Sequence, residues 1–338
     1  MKLKKELGIG AILLVVCVFL AIKQPVFLSK VNLQNTSNSI GEYGIFSIGL
    51  GIVIITGGID LSVGSAFAVQ GVLFSIMLQD WQWPWPMAVL GSIAALLVLG
   101  VFHGFMIAKV RLQPFIVTLC GLLIYRGMAN WFARDATRGV GVGDNDIPPP
   151  LLQALTAGKV GPFPITLVIL LIVAAIMWVV LHHSVFGRYL YAVGRNEDAA
   201  RYSGINTKMI IGSAYVVSML LAGISGILFA MDVKSIQPSS HGLSYELYGI
   251  AAAVLGGCSL RGGEGSILGI LLGTALLVVL QNLVNLMHLP TTQTFTVMGF
   301  VILAGVTFDQ VIGNRKKVTK VGAPALAPSA PSGTPGPQ

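Results

Sequence analysis

Charge is scarce in this sequence. Asp, Glu, Lys and Arg together make up 10% of the 338 residues, against about 25% in an ordinary soluble domain. Hydrophobic residues make up 54% and the mean hydropathy is +0.82, which excludes a soluble globular chain and leaves an integral membrane protein. Cysteine is almost as scarce. Cys17, Cys120 and Cys258 lie in or beside apolar segments without metal-like spacing, so neither a disulfide framework nor a metal site is expected, and each thiol packs as a small hydrophobe. No A-x-A-like cleavage site follows the basic, then apolar, N-terminus, which makes it an uncleaved first span. Motors are missing too. No G-x-x-x-x-G-K-[ST] phosphate loop exists, and Gly262-Gly-Glu-Gly-Ser266 lacks both the lysine and the strand context. A succession of intramembrane carboxylates, as in a proton-driven pump, is also absent. If this chain moves a solute, its energy comes from a partner, and the chain itself binds no cofactor.

What is present is a series of about ten apolar stretches near the roughly 20 residues that a helix needs to cross a bilayer. They cover 9–22, 39–56, 62–78, 87–108, 115–132, 165–181, 209–231, 245–255, 266–287 and 295–311. The expected fold is therefore all-α, a polytopic transmembrane bundle over residues 1–313, and 41 glycines suit close helix packing. Residues 314–338 begin basic and become rich in Pro, Ala, Ser and Gly, the composition of a disordered tail. With the N-terminus in the cytoplasm, fourteen of the 21 Lys and Arg residues fall inside, including Lys2, Lys4, Lys5, Arg188, Arg195, Arg201 and Arg315. That asymmetry fits the positive-inside rule and puts both termini in the cytoplasm. The stretch 133–164, with Asp144-Asn-Asp146 and Pro148-Pro-Pro150, is too polar to span and lies outside, as a partner surface or a plain loop.

One polar segment stands between long apolar runs: Phe186-Gly-Arg-Tyr-Leu-Tyr-Ala-Val-Gly-Arg-Asn-Glu-Asp-Ala-Ala-Arg-Tyr-Ser-Gly-Ile205. Hydrocarbon excludes it. A short helix stopped by Gly204 would present Arg188, Arg195, Glu197 and Arg201 to water, and the small Ala199 and Ala200 would let a soluble partner approach closely. The plainer reading is a basic loop that fixes topology.

Gly57-Gly58-Ile-Asp60-Leu-Ser62-Val-Gly64 is echoed by Gly256-Gly257-Cys-Ser259-Leu-Arg-Gly-Gly263, both reading G-G-x-x-L-x-x-G. Upstream, Glu42-Tyr43-Gly44-Ile45 is echoed by Glu246-Leu-Tyr248-Gly249-Ile250. Two related units of a transporter built from repeats would look like this, with the glycines as turns. Asp60 is the lone acid between Glu42 and Asp80; it either caps the next helix or, with Ser62, borders a translocation path. Asn282 and Asn285, with Gln281 beside them, share a face of an apolar helix, as interhelical glue or as path lining. Their neighbours Leu283 and Leu286 are read as lipid-facing. His103 reads as a packed interhelical histidine, and Arg126 as snorkelling or paired with a loop. Gly223-Ile-Ser225-Gly226 matches G-x-S-G, so an intramembrane serine protease using Ser225 with His103 or His288 is the reading from a different class.

Taken together the residues resemble the permease subunits of bacterial ABC sugar importers, in the branch that serves ribose, related monosaccharides and the autoinducer-2 signal. The resemblance rests on Gly57-Gly-Ile-Asp-Leu-Ser-Val-Gly-Ser65, Pro114-Phe-Ile-Val-Thr-Leu119 with Arg126-Gly127, Gly187-Arg-Tyr-Leu-Tyr-Ala-Val-Gly-Arg-Asn-Glu197, Ser203-Gly-Ile205, Leu255-Gly-Gly257 and Gly262-Gly263. Asp198-Ala199-Ala200-x-x-x-Gly204 is similar to the E-A-A-x-x-x-G coupling helix that docks into the ATPase, with Asp in place of Glu and without the usual I-x-L-P. The resemblance implies a type II importer fold, and an ATPase-coupling surface at Gly187, Arg188, Gly194, Asn196, Glu197, Asp198, Ala199, Ala200, Arg201 and Gly204. It also implies a second permease subunit, cytoplasmic ATPase subunits that hold the ATP, and an extracytoplasmic sugar-binding protein, all at a bacterial inner membrane. Permeases of the same superfamily for nucleosides or branched-chain amino acids are a further alternative. Family members usually carry asparagine near His103, so the chemistry there differs in this chain.

Overall fold

A computed structural model describes residues 2–141 and 148–287, with isolated positions 296, 299, 300 and 303. The apolar stretch 295–311, His288, Asp144-Asn-Asp146 and the Pro-rich tail lie outside the described residues or almost wholly so. Twelve α-helices are described. Seven helical runs are long and apolar enough to cross a membrane. These are α1 (Lys2–Lys23), α2 (Lys30–Ile55), α4 (Trp85–Gly104, continued by a π-turn to Lys109), α5 (Pro114–Ala133), α7 (Ile165–His183), α10 (Thr207–Val233) and α12 (Ile267–Leu286). Two shorter apolar helices, α3 (Val63–Gln79) and α11 (Tyr245–Leu255), complete nine of the ten expected stretches. Polar residues set the helix starts. The side chains of Ser29, Asn206 and Ser266 accept the amides of Asn32, Met209 and Gly269, and Pro114 opens α5, where its missing N–H costs nothing.

Helices α2 and α10 form the centre. Gly49 of α2 lies against the backbone of Ser218 in α10, and Gly104 of α4 against that of Gly212; small residues let these helices meet backbone to backbone where lipid supplies no hydrophobic drive. Around this centre stand α3, α4 and α5 on one side and α7, α11 and α12 on another, each adding apolar side chains to the core. Helix α1 is peripheral and packs on α12, where Leu283 and Leu286 meet it with Leu20 and Val279. The expectation that those two leucines face lipid is thus corrected: α1 covers them.

The expected outer stretch folds into β1 (Arg138–Gly139), α6 (Pro150–Ala157) and a β2–β3 hairpin (Lys159–Val160 and Phe163–Pro164). β1 pairs antiparallel with β4 (Ser235–Ile236) just after α10, and Arg138 bonds to Asp80 at 2.6 Å at the end of α3. At the opposite end of α10 lie α8 (Val185–Arg195) and α9 (Glu197–Tyr202).

Candidate functional site

Both glycine turns sit at the same end of the bundle as α8. The α2 helix ends with Gly57 at φ +85°, the Gly57 N–H donating to Ile54 and that of Gly58 to Val53. The α11 helix ends with Gly257 at φ +91°, the Gly257 N–H donating to Val254 and that of Cys258 to Ala253. The bond pattern is the same and defines a Schellman close, which needs a left-handed residue at the first position past the helix. Geometry therefore matches Gly57 with Gly257, one residue out of register from the match in sequence. Gly58 and Gly256 have negative φ, and Gly64 is no turn: it lies in the first turn of α3. Gly263, at φ +73°, is a true turn residue.

The two turns touch. Gly263 N donates to Ile55 O at 2.8 Å, and Gly57 lies beside Arg261. Helix α8 packs on both. A Cβ on Gly194 would overlap the Ile55 carbonyl oxygen and come 2.5 Å from the Gly263 nitrogen, while one on Gly262 would strike Gly194 O at 2.6 Å. Tyr191 donates to Gly265 O at 2.8 Å, and burial raises its pKa, so the phenol stays a donor. Bare backbone thus joins α8 to the ends of α2 and α11.

The predicted docking residues divide by face. Arg188, Arg195, Asn196, Glu197, Asp198, Ala199, Arg201 and Gly204 are exposed. Asn196 caps α9 by accepting the Ala199 amide at 2.9 Å, Glu197 accepts from Thr207, and Asp198 pairs with Arg201 at 2.8 Å. Gly204, at φ +84°, closes α9 as the expected stop, with the Ile205 N–H reaching Ala200 O. Gly187 and Ala200 turn inward: Gly187 abuts the Leu181 backbone and Ala200 belongs to the apolar core. Ala200 therefore cannot itself touch a partner, and a glutamate there would break the chain's own packing. Tyr202, 84% exposed beside Arg201, is the residue sequence reasoning passed over. An aromatic ring at the end of a charged helix was the available signal.

Asp60 does not sit at the N-cap of α3. That position is Ser62, and Asp60 Oδ1 accepts both the Ser62 amide (3.0 Å) and hydroxyl (2.7 Å). The Glu246 carboxyl group, from the first turn of α11, lies at the Gly64 amide and accepts from it at the α3 N-terminus. Residues 58–62 run back into the bundle without helix. They are clasped by Thr118, whose hydroxyl reaches Ile59 O at 3.2 Å, and by Gly121, beside Ser62 and His103. From the other end, residues 237–244 descend to α11, their carbonyls at Pro238 and His241 held by Arg126 at 2.8 Å each. So α3 and α11 are interrupted helices whose N-termini meet inside the bundle, the arrangement that transporters use near their sites.

The other polar candidates lie elsewhere. Asn282 bonds to Asn32 and Thr36 of α2, at 2.8 and 2.9 Å, and Asn285 is exposed; neither is near Asp60. His103 shares a 2.8 Å hydrogen bond with Tyr125. Ser225 donates to Glu42 O at 2.8 Å, and no serine–histidine bond involves it among the described residues, so the nucleophile–base geometry a protease needs is not formed with His103.

A family model described as the permease component of branched-chain amino acid transport systems matches residues 32–306. The chain belongs to this family. The ribose import permease protein of Bacillus subtilis is 35% identical over 306 residues, 90% of this chain and 93% of its own. The D-allose transport system permease protein of Escherichia coli is 29% identical over 88% of this chain and 89% of its own, and the autoinducer 2 import system permease protein of Salmonella typhi 33% over 88% and 84%. No solved structure matches the chain significantly. This is a helical, multi-pass permease component, and the family spans the interrupted helices, both glycine turns and α8–α9.

Proposed function

We propose that this chain is the membrane-spanning subunit of an ATP-driven importer for a monosaccharide or a related small polyol. Both termini lie in the cytoplasm. A cytoplasmic ATPase docks on α8–α9, an extracytoplasmic binding protein delivers the sugar to the opposite face, and a second permease subunit completes the assembly. One observation carries the reading: a charged two-helix unit stands outside the spans, presents Arg188, Asp198, Arg201 and Tyr202 outward, and rests through Gly194 on the turns that follow α2 and α11. A soluble motor needs such a handle, since this chain has no phosphate loop of its own. The relatives named for ribose, D-allose and autoinducer 2 support the sugar class.

The family description favours a second reading, a carrier of branched-chain amino acids. Uptake of labelled ribose and of labelled leucine, in cells lacking their own permeases but supplied with this chain's ATPase and binding protein, separates the two. Ribose import supports the proposal; leucine import alone overturns its substrate class. Docking is tested by pull-down. Tyr202→Ala should weaken ATPase binding by about 2 kcal/mol, roughly thirtyfold in Kd, with the protein at its normal level in the membrane. Unchanged binding would remove α8–α9 as the handle.

A further inference from the structure

Where α4 ends and α10 begins, the two helices leave an open groove of about 430 Å³, within the roughly 300–1,000 Å³ of small-molecule sites. Its floor is bare backbone. Gly104 and Gly212 face each other there, and a Cβ on Gly104 would stand 2.8 Å from the Gly212 carbonyl oxygen. The π-turn Phe105–Lys109 follows at once and carries the end of α4 alongside the first turns of α10. Phe105 and Met209 form the walls, 50% and 69% exposed, so no described element covers them. The lining continues to Val216, eight residues past Lys208, which takes the groove about 12 Å into the apolar span of α10.

The mouth of the groove is basic. Lys109 and Lys208 line it at the end of the bundle where α8 and α9 lie, and both are exposed. The Lys109 ammonium stands 5.4 Å from the Phe105 ring centroid, which favours its place over the wall. Neither lysine has an ion-pair partner among the described residues, and the carboxylates of α9 are engaged elsewhere. Glu197 accepts from the Thr207 hydroxyl at 3.1 Å, and Asp198 pairs with Arg201 at 2.8 Å. Lysines at helix ends ordinarily serve topology alone; here they crown an apolar trough. A free phosphate would gain nothing from that trough, and an acidic soluble protein could not follow it into hydrocarbon. An amphiphile with an anionic head matches both halves.

We infer that the α4–α10 groove binds an anionic phospholipid, with the phosphate between Lys109 and Lys208 and the start of one acyl chain over Gly104 and Gly212. The site requires only that α4 and α10 cross the membrane, whatever solute the chain carries. An occupied groove ties the end of α4 to the start of α10, directly beside α9, so the bound lipid stabilises the folded chain.

The test uses the full-length chain purified in a mild detergent, with phosphatidylglycerol and phosphatidylcholine of identical acyl chains as probes and bound lipid counted by native mass spectrometry. Phosphatidylglycerol should bind about thirtyfold more tightly than phosphatidylcholine, from about fivefold per lysine. Replacing both lysines, Lys109→Gln with Lys208→Gln, should remove most of that preference. Gly212→Leu keeps both lysines but fills the trough. Its Cβ has room, the nearest atom being 3.8 Å away, and it should lower phosphatidylglycerol affinity at least about tenfold. Phosphatidylglycerol should raise the Tm of the parent and leave that of both variants unchanged. Should a variant fail to fold, the parent's preference between the two lipids still decides. Equal affinity for the two lipids, a double-lysine variant that keeps the full preference, or a Gly212→Leu chain that binds as the parent does overturns the inference. So does displacement of the lipid by millimolar inorganic phosphate, which would make this a site for a free anion. Cross-linking of a Met209→Cys thiol to a second copy would overturn it too, by making the groove an interface between chains.

Discussion

At Gly57 the chain leaves α2 and turns back into the bundle; at Gly257 it leaves α11 and stays at the surface. Both turns close their helices with the same pair of backbone bonds and a left-handed glycine. Three residues past the first glycine stands Asp60, fully buried, with Oδ1 holding the Ser62 amide and hydroxyl. Three residues past the second stands Leu260, 47% exposed. The first turn anchors an interrupted helix among α4, α5 and α10, whereas the second forms the ledge on which α8 rests. One backbone device thus serves two tasks, and the residues after it decide which. Gly194 ties the two together, since it touches the first turn at Ile55 and the second at Gly263.

The severest way to break this pairing is at the shared contact. Gly194→Val places branched carbons where the Ile55 carbonyl already lies, so α8 must lift off both turns. Uptake should fall by about a hundredfold or more, a loss of roughly 3 kcal/mol in the rate-limiting step, while the ATPase still copurifies. Parallel loss of ATPase binding would mean that the contact shapes the docking face rather than transmitting motion.

Swapping the residues that follow the turns sharpens the contrast. Asp60→Leu leaves the buried Ser62 amide and hydroxyl without an acceptor and should cost about 1–3 kcal/mol, read as a lowered Tm in detergent. Leu260→Asp, at an exposed position, should stay within about 0.5 kcal/mol of the parent. Equal effects would erase the distinction drawn here. Gly57→Ala has room for its Cβ, the nearest atom being Arg261 O at 3.8 Å, so its cost is the left-handed backbone alone, about 1 kcal/mol. Glu246→Gln should cost about 0.5–1 kcal/mol, by weakening the acceptor that meets the Gly64 amide at the start of α3.

Much of this was legible in the sequence. The apolar stretch 245–255 coincides with α11, and Gly204 as a stop followed from its place after a short polar helix. The echoed Tyr43 and Tyr248 do meet, ring centroids 6.1 Å apart, but they stand 14 and 9 residues before the left-handed glycines Gly57 and Gly257, so the two echoes do not share one register. What escaped were properties of tertiary contact. Nothing local says that Ala200 faces inward while Ala199 faces out, that Glu246 serves a helix it does not belong to, or that Asn282 reaches 250 residues back to Asn32. The one-residue slip between the echoed glycines has a simple cause: with two adjacent glycines in each turn, only φ reveals which is left-handed.

The most direct test is transport against a gradient. Proteoliposomes holding this chain with its ATPase, ATP on the ATPase side and the sugar-loaded binding protein on the other, should accumulate labelled ribose above its external concentration, and accumulation should stop when either ATP or the binding protein is withheld. Ribose that merely equilibrates, at a rate indifferent to ATP, would contradict the account.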